Sequence, residues 1–228
     1  MDADQLGSLI KTSMLPSPWR VGNEVLYELC RTRPEHTDEA EVIAKIWLIG
    51  RCYAAAIERR KSNLGENDSF YLHTVAPAII GSAIDEWLAQ ARQINRPSPL
   101  SWATLIHIHH KTTQLFKSIS GLDKRSLASK YLHFHVSQLF YIYDSRAVEA
   151  ISRIRGLVGR SDRSVLDADD EYQKFAAKCL ALQQLIEDQY GIGMRPRDLD
   201  NLLLQVTEEK IDLSLCVNVV HRLAGQQN

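Results

Sequence analysis

Apolar residues recur three and four positions apart along nearly the whole chain, and this period constrains the fold more than any other feature. Val42, Ile46, Ile49, Tyr53 and Ile57 are the clearest case, laying one apolar stripe along a single helix face. No β-hairpin signal, internal repeat or low-complexity tract interrupts the pattern. The chain therefore reads as all-α, a compact bundle of eight or nine helices joined mostly by connections of about 2–8 residues.

Start and stop signals divide it further. Residues 1–23 read as an irregular lead-in with Pro16 and Pro18, followed by a short helix, Glu24–Arg31, capped by Asn23. Thr37 with Asp38, Glu39 and Glu41 opens a helix to about Lys61, and Ser62–Asp68 is a polar turn. Pro77 sits at or near the first turn of a helix to about Gln93, and Ser98-Pro99 starts another to about Ser118. After the loop at Gly121 a helix begins at Asp123 or Lys124 and is broken over Val136–Gln138. Asp144-Ser145 starts a helix to about Val158, and residues 159–164 form a linker. Leu166–Asp170 begins a long helix ending at Gly191, Pro196 opens one through Val206, and Thr207 with two glutamates caps the last, to about Leu223. Two lobes with a cleft are expected, residues 1–64 plus 161–228 and residues 65–160.

The chain has 228 residues, 45% hydrophobic and 24% charged, which excludes disordered and collagen-like classes and is enough for a core without staples. No apolar run reaches the ~18 residues of a membrane span; Val42–Gly50 is short and interrupted by Lys45. The N-terminal residues lack the basic and apolar regions of a signal peptide. Cys30, Cys52, Cys179 and Cys216 lie far apart in apolar helical patterns and read as reduced, buried thiols, so a cytoplasmic location is expected.

Net charge is −1, yet it is unevenly placed. Between Lys111 and Arg163 ten basic residues stand against Asp123, Asp144, Glu149 and Asp162, a local +6, leaving −7 elsewhere. The ten include Lys117, Lys124, Arg125, Lys130, Arg146, Arg153, Arg155 and Arg160. Such a segment is either a polyanion surface or a set of solvated helix faces.

Phosphate-loop, dinucleotide-fingerprint and serine-hydrolase elbow motifs are absent. His107, His109 and His110 crowd one segment, but no Cys-x-x-Cys and no nearby carboxylate accompany them, so they read as helix-surface or core residues and no metal is expected. His133 and His135 lie in the basic segment and are candidates for a phosphate contact. Arg51 sits between apolar residues, where a buried guanidinium must be paired or must face a cleft.

Gly121–Arg155 is the most informative stretch: a glycine turn, a basic helix, the apolar connector Leu139–Tyr143, Asp144 at a helix start, then three arginines. A turn leading into a helix presents N–H groups and positive dipole to an anion, with Lys124, Arg125 and Lys130 beside it. The buried connector would hold Asp144 at the edge of a site, where capping and catalysis are compatible.

This order resembles the helix-hairpin-helix superfamily of DNA glycosylases. Gly121–Ala128 looks like the hairpin, Ala128-Ser129-Lys130 like its second helix, and Tyr143-Asp144-Ser145-Arg146 like the Asp-bearing helix start. The resemblance implies DNA as partner and Asp144 as the group that stabilises a cationic sugar or activates water. An ungapped match puts Ser126 where the bifunctional branch has its lysine, and no cysteine group could hold an iron–sulfur cluster, so it implies a monofunctional hydrolase of DNA repair without a cofactor. It implies phosphate contacts from Lys124, Arg125, Lys130 and Arg146. The pocket helix would be Ile46–Tyr53, and the flipped base would meet Arg51, Tyr53, Tyr141 and Tyr143. The alternatives are a non-catalytic all-α module using the basic segment for nucleic acid or an acidic protein, and a helical protein–protein module or homo-oligomer.

Overall fold

The structure is a computed structural model and describes residues 3–59, 67–98, 100–154, 157 and 165–209, among which every regular element is helical. In order these are α1 (Ala3–Ser13), α2 (Arg20–Thr32), α3 (Glu39–Cys52), α4 (Asn67–Phe70), a π-helical turn (Tyr71–Val75), α5 (Ala76–Ile80), α6 (Ile84–Arg92), α7 (Trp102–Ser120), α8 (Arg125–His135), α9 (Ser145–Arg153), α10 (Asp170–Tyr190) and α11 (Pro196–Glu208). None of these helices is long and apolar enough to cross a membrane. Most of the turn at Ser62–Asp68, Pro99, Arg155, the whole 159–164 linker with Arg160 and Arg163, Cys216 and the helix expected beyond Thr207 fall outside the described residues, although Asn67 and Asp68 already belong to α4 and Thr207 to α11.

The contacts divide the chain into two compact units. One gathers the described residues of Met1–Ser17, Tyr141–Ser164 and Asp170–Asn228; the other gathers Pro18–Phe140 and Val165–Asp169. Residues 18–64 were expected with the terminal helices, but α2 and α3 pack on α8, and α3 on α5, so the described residues of this stretch group with the hairpin.

In the larger unit α3 starts one residue later than expected. Asp38, not Thr37, is the N-cap, its Oδ1 accepting the Glu41 N–H at 2.9 Å. The helix buries Val42, Ile46 and Ile49 and stops at Cys52 rather than near Lys61, because Ala54 turns the chain at φ 51°. Gly50 permits that reversal: a Cβ there would lie 3.0 Å from Cα of Ala56. Ile46, Ile49, Val75, Ile79, Phe116, Tyr131 and Leu132 meet in the core.

Pro77 lies in the first turn of its helix, as expected, but that helix does not begin afresh. This helix, α5, continues α4 through the π-turn Tyr71–Val75. Proline lacks an N–H and crowds the carbonyl four residues back, and the wider turn relieves both. The rod then breaks at Gly81–Ala83, so the single helix expected to Gln93 becomes two.

In the smaller unit residues 3–13 form α1 rather than a lead-in. Ile10 is buried, and Asn201 Nδ2 of α11 donates to the Ser13 carbonyl at 3.2 Å. α9 turns Ala147, Ala150 and Ile151 inward, and its small residues let α11 pack closely. α10 ends at Gly191 (φ 64°), and Pro196 opens α11, where Asp198 Oδ2 accepts the Arg195 N–H at 3.0 Å.

Candidate nucleic-acid interface and catalytic carboxylate

The hairpin of the larger unit is α7, a short turn and α8. Gly121 ends α7 at φ 74° and donates to the Lys117 carbonyl at 2.8 Å, a left-handed cap that glycine adopts without strain. Ser120 Oγ donates to Phe116 O at 2.8 Å and accepts the Leu122 N–H at 3.3 Å, and Lys117 pairs with Asp123 across the turn at 3.1 Å.

The expected phosphate ligands have internal partners here. Lys124, at the N-cap position of α8, sends Nζ to the Arg59 carbonyl at 2.6 Å and to that of Ala56 at 3.4 Å. Arg125 Nε faces both oxygens of Asp169, at 2.7 and 2.6 Å. Lys130 corrects the expectation outright: it is 1% exposed and its Nζ donates to Ser126 Oγ at 2.7 Å, one helical turn back. Its place on the inner face of α8 removes it from any surface phosphate.

His133 is equally internal. Its Nδ1 lies 2.9 Å from the Phe140 carbonyl, so it carries the proton there, and Nε2 accepts from Tyr27 Oη at 2.6 Å. His135 Nδ1 donates to the Tyr131 carbonyl at 2.8 Å. His109 lies under Arg125 and Asp169, and burial lowers its pKa to about 3. His107 Nε2 reaches the Leu166 carbonyl at 3.2 Å. Among the described residues no group of three or more His, Cys, Asp or Glu is placed to hold a metal ion.

Arg51 and Tyr53 close α3. Arg51 pairs with Glu58 at 2.5 Å and lies 5.9 Å from the Trp47 ring centre, while Glu58 also accepts from Tyr71 Oη at 2.5 Å. Tyr53 Oη donates to Asn23 Oδ1 at 2.5 Å, and its ring meets Phe134 edge-on at 5.3 Å. The concern about a buried Arg51 is thus resolved by a carboxylate and an indole face, with the guanidinium half-exposed.

Tyr141, Tyr143, Asp144 and Arg146 all belong to the smaller unit. Tyr141 is buried, its hydroxyl donating to Gln183 Oε1 at 2.6 Å, and burial raises its pKa well above the usual phenol range. A ring so enclosed is not presented for stacking on a base. Tyr143 is half-buried, 5.2 Å edge-on to Phe175.

Asp144 is where the sequence placed it. It is the extended N-cap of α9, and its Oδ1 accepts the N–H groups of Arg146 and Ala147, both at 3.0 Å. Leu139–Ile142 before it are buried, so the carboxylate is half-buried at the end of a fixed support. Arg146 reaches Glu208 at 3.1 Å, with both side chains more than half exposed.

Sequence reasoning missed two groups. Asp169 lies among acids ahead of an apolar run, which signal a helix start; in the structure it is the partner of Arg125. His36, Asp85 and Tyr131 form a line of hydrogen bonds inside the larger unit that no local pattern announces. His36 Nδ1 meets Asp85 Oδ1 at 2.5 Å, and Nε2 meets Tyr131 Oη at 2.7 Å. Beside them Lys45 Nζ donates to the carbonyls of Arg33 and Glu35, at 2.9 and 2.5 Å, and burial pushes the Cys30 thiol up to about 12. Tyr131 is fully enclosed, so this line braces the core rather than meeting a substrate.

No family model, no curated protein and no solved structure matches the chain.

Proposed function

We propose that the protein acts on DNA as a monofunctional, glycosylase-like enzyme in which Asp144 is the reacting carboxylate. The observation that carries this reading is the half-buried Asp144, fixed through Oδ1 at the start of α9 and preceded by a buried connector. A carboxylate held this way needs no reorganisation as positive charge develops on a sugar, the condition for electrostatic stabilisation of an oxocarbenium-like transition state. Its other oxygen, Oδ2, has no hydrogen bond among the described residues and can accept a proton from an attacking water.

Arg146, two residues on, suits a phosphate. Its pairing with Glu208 is solvent-exposed, and such pairs are worth about 0–1 kcal/mol, so a phosphate can replace the carboxylate at little cost. Tyr143 supplies an aromatic edge next to the carboxylate in sequence. Lys130 and Tyr141 have no part in this reading.

The test is base release. Duplexes carrying normal, damaged and modified bases are incubated with the full chain and heated in alkali, which breaks the strand at abasic sites. Cleavage by the wild type and none by Asp144→Asn, with DNA binding retained, is expected. Undiminished cleavage by Asp144→Asn removes the mechanism.

The second reading, a non-catalytic module that uses the basic segment, is weakened by the internal engagement of Lys124, Arg125 and Lys130. It expects salt-sensitive binding to nucleic acid or to an acidic protein with no product formed.

A further inference from the structure

The basic hairpin carries its own anion. Residues Val165–Asp169 belong to the larger unit, and their last side chain lies on the first residue of α8. Asp169 puts both carboxylate oxygens on Arg125 Nε; the aspartate side chain is 6% exposed and the arginine side chain 27%. A second fastening lies three residues earlier, where His107 Nε2 of α7 donates to the Leu166 carbonyl at 3.2 Å. Between the two, Asp167 holds a left-handed φ of 52°, a conformation that non-glycine residues adopt at a cost. Leu166 meanwhile points its apolar side chain outward, 84% exposed. The segment is short, acidic and conformationally strained, and Asp169 and Leu166 both fasten it to the hairpin.

A carboxylate and a phosphate ester compete for the same face of a guanidinium. The positive end of the α8 dipole lies at the same place, so an anion is favoured there whether it comes from the chain or from a ligand. We infer that Val165–Asp169 is an autoinhibitory strap, in which Asp169 occupies on Arg125 the place a nucleic-acid phosphate takes when the hairpin engages DNA. The inference rests on the DNA reading proposed above. The strap makes binding conditional: a duplex must displace Asp169, and loses affinity in doing so.

Three variants of the full chain separate competition from simple bracing, read by anisotropy of a short labelled duplex at about 50 mM salt, where phosphate contacts are strong. Asp169→Asn is expected to tighten binding about tenfold, the scale of one released charge-assisted contact. Asp167→Asn removes the same charge from the same strap without touching Arg125, and is expected to change affinity less than about twofold, as a screened surface charge does. Arg125→Ala is expected to weaken binding. Opposite shifts for Asp169→Asn and Arg125→Ala are the mark of competition; a shared direction, or no gain in Asp169→Asn beyond that of Asp167→Asn, overturns the strap while leaving the DNA reading intact. Should Asp169→Asn fail to fold, His107→Ala loosens the other fastening and must itself tighten binding, or the strap is overturned. If neither the wild type nor the loosened variant binds duplex, strap and DNA reading fall together.

Discussion

The hydroxyl of Tyr131 on α8 lies 2.7 Å from Nε2 of His36, whose Nδ1 faces the Asp85 carboxylate of α6 at 2.5 Å. The carboxylate fixes the tautomer: Nδ1 carries the proton, and Nε2 must accept from the phenol. Three segments far apart in sequence are thereby tied through one imidazole. Tyr131→Phe keeps the ring but leaves Nε2 buried without a donor. We predict a loss of about 1–3 kcal/mol, read by chemical denaturation of the full chain. His36→Ala should cost more, because Asp85 and Tyr131 both lose their partner. A Tyr131→Phe variant as stable as the wild type would show that the contact contributes nothing.

The same imidazole sets a pH dependence. Burial, with Lys45 nearby, lowers the His36 pKa to about 4 in spite of the Asp85 hydrogen bond, so near neutrality the contact is a hydrogen bond and not an ion pair. In the unfolded chain histidine titrates near 6.5. Between about 6.5 and 4 the unfolded state therefore binds more protons, and stability falls with falling pH. The full contribution is present above about 6.5 and has gone near 4, on the order of 3 kcal/mol from His36. His135 and His109 add in the same direction, both depressed by burial. For Asp85, burial acts to raise the pKa but the His36 hydrogen bonds outweigh it and hold it below the ordinary value, so the loss continues at lower pH. Denaturation midpoints across pH 4 to 7 should slope steeply, and His36→Gln should flatten the slope.

Local signals were legible where a single turn decides. Asp144 and Pro196 mark helix starts in the sequence and do so in the structure, because a cap and a fixed φ act within three residues. The failures are tertiary. α1 has no strong start signal and exists through Ile10 and its bond from Asn201 on α11. The end of α3 turns on the close approach of Gly50 to Ala56, which periodicity cannot register. At the candidate site Asp144 was readable and the cations were not. A lysine in a basic segment looks solvated until the carbonyls of Ala56 and Arg59 appear beside Lys124, or the inner face of α8 is found to hold Lys130. Sequence counts charges; partners more than 40 residues away decide which of them are available, as Asp169 does for Arg125.

Gly50→Ala tests the turn that ends α3. The new methyl would sit 3.0 Å from Cα of Ala56, and the neighbour is backbone, which cannot swing aside. Helix propensity alone favours alanine by about 1 kcal/mol, so the sign of the change decides between the two effects. We predict net destabilisation of about 1–3 kcal/mol from overpacking. A stabilised variant would mean that the Ala54–Ala56 turn relaxes freely.

Asp144 carries two roles, and two substitutions part them. Asparagine caps a helix about as well as aspartate, because its side-chain oxygen can accept the same N–H groups. Asp144→Asn should therefore leave the melting temperature nearly unchanged while removing the charge on which base release depends. Asp144→Ala strips both bonds from the start of α9 and should cost about 1 kcal/mol as well as activity. Thermal melts run beside the alkali cleavage assay check this. If Asp144→Asn destabilises the fold as much as Asp144→Ala, the carboxylate's charge serves the helix, and the catalytic reading loses the residue on which it stands.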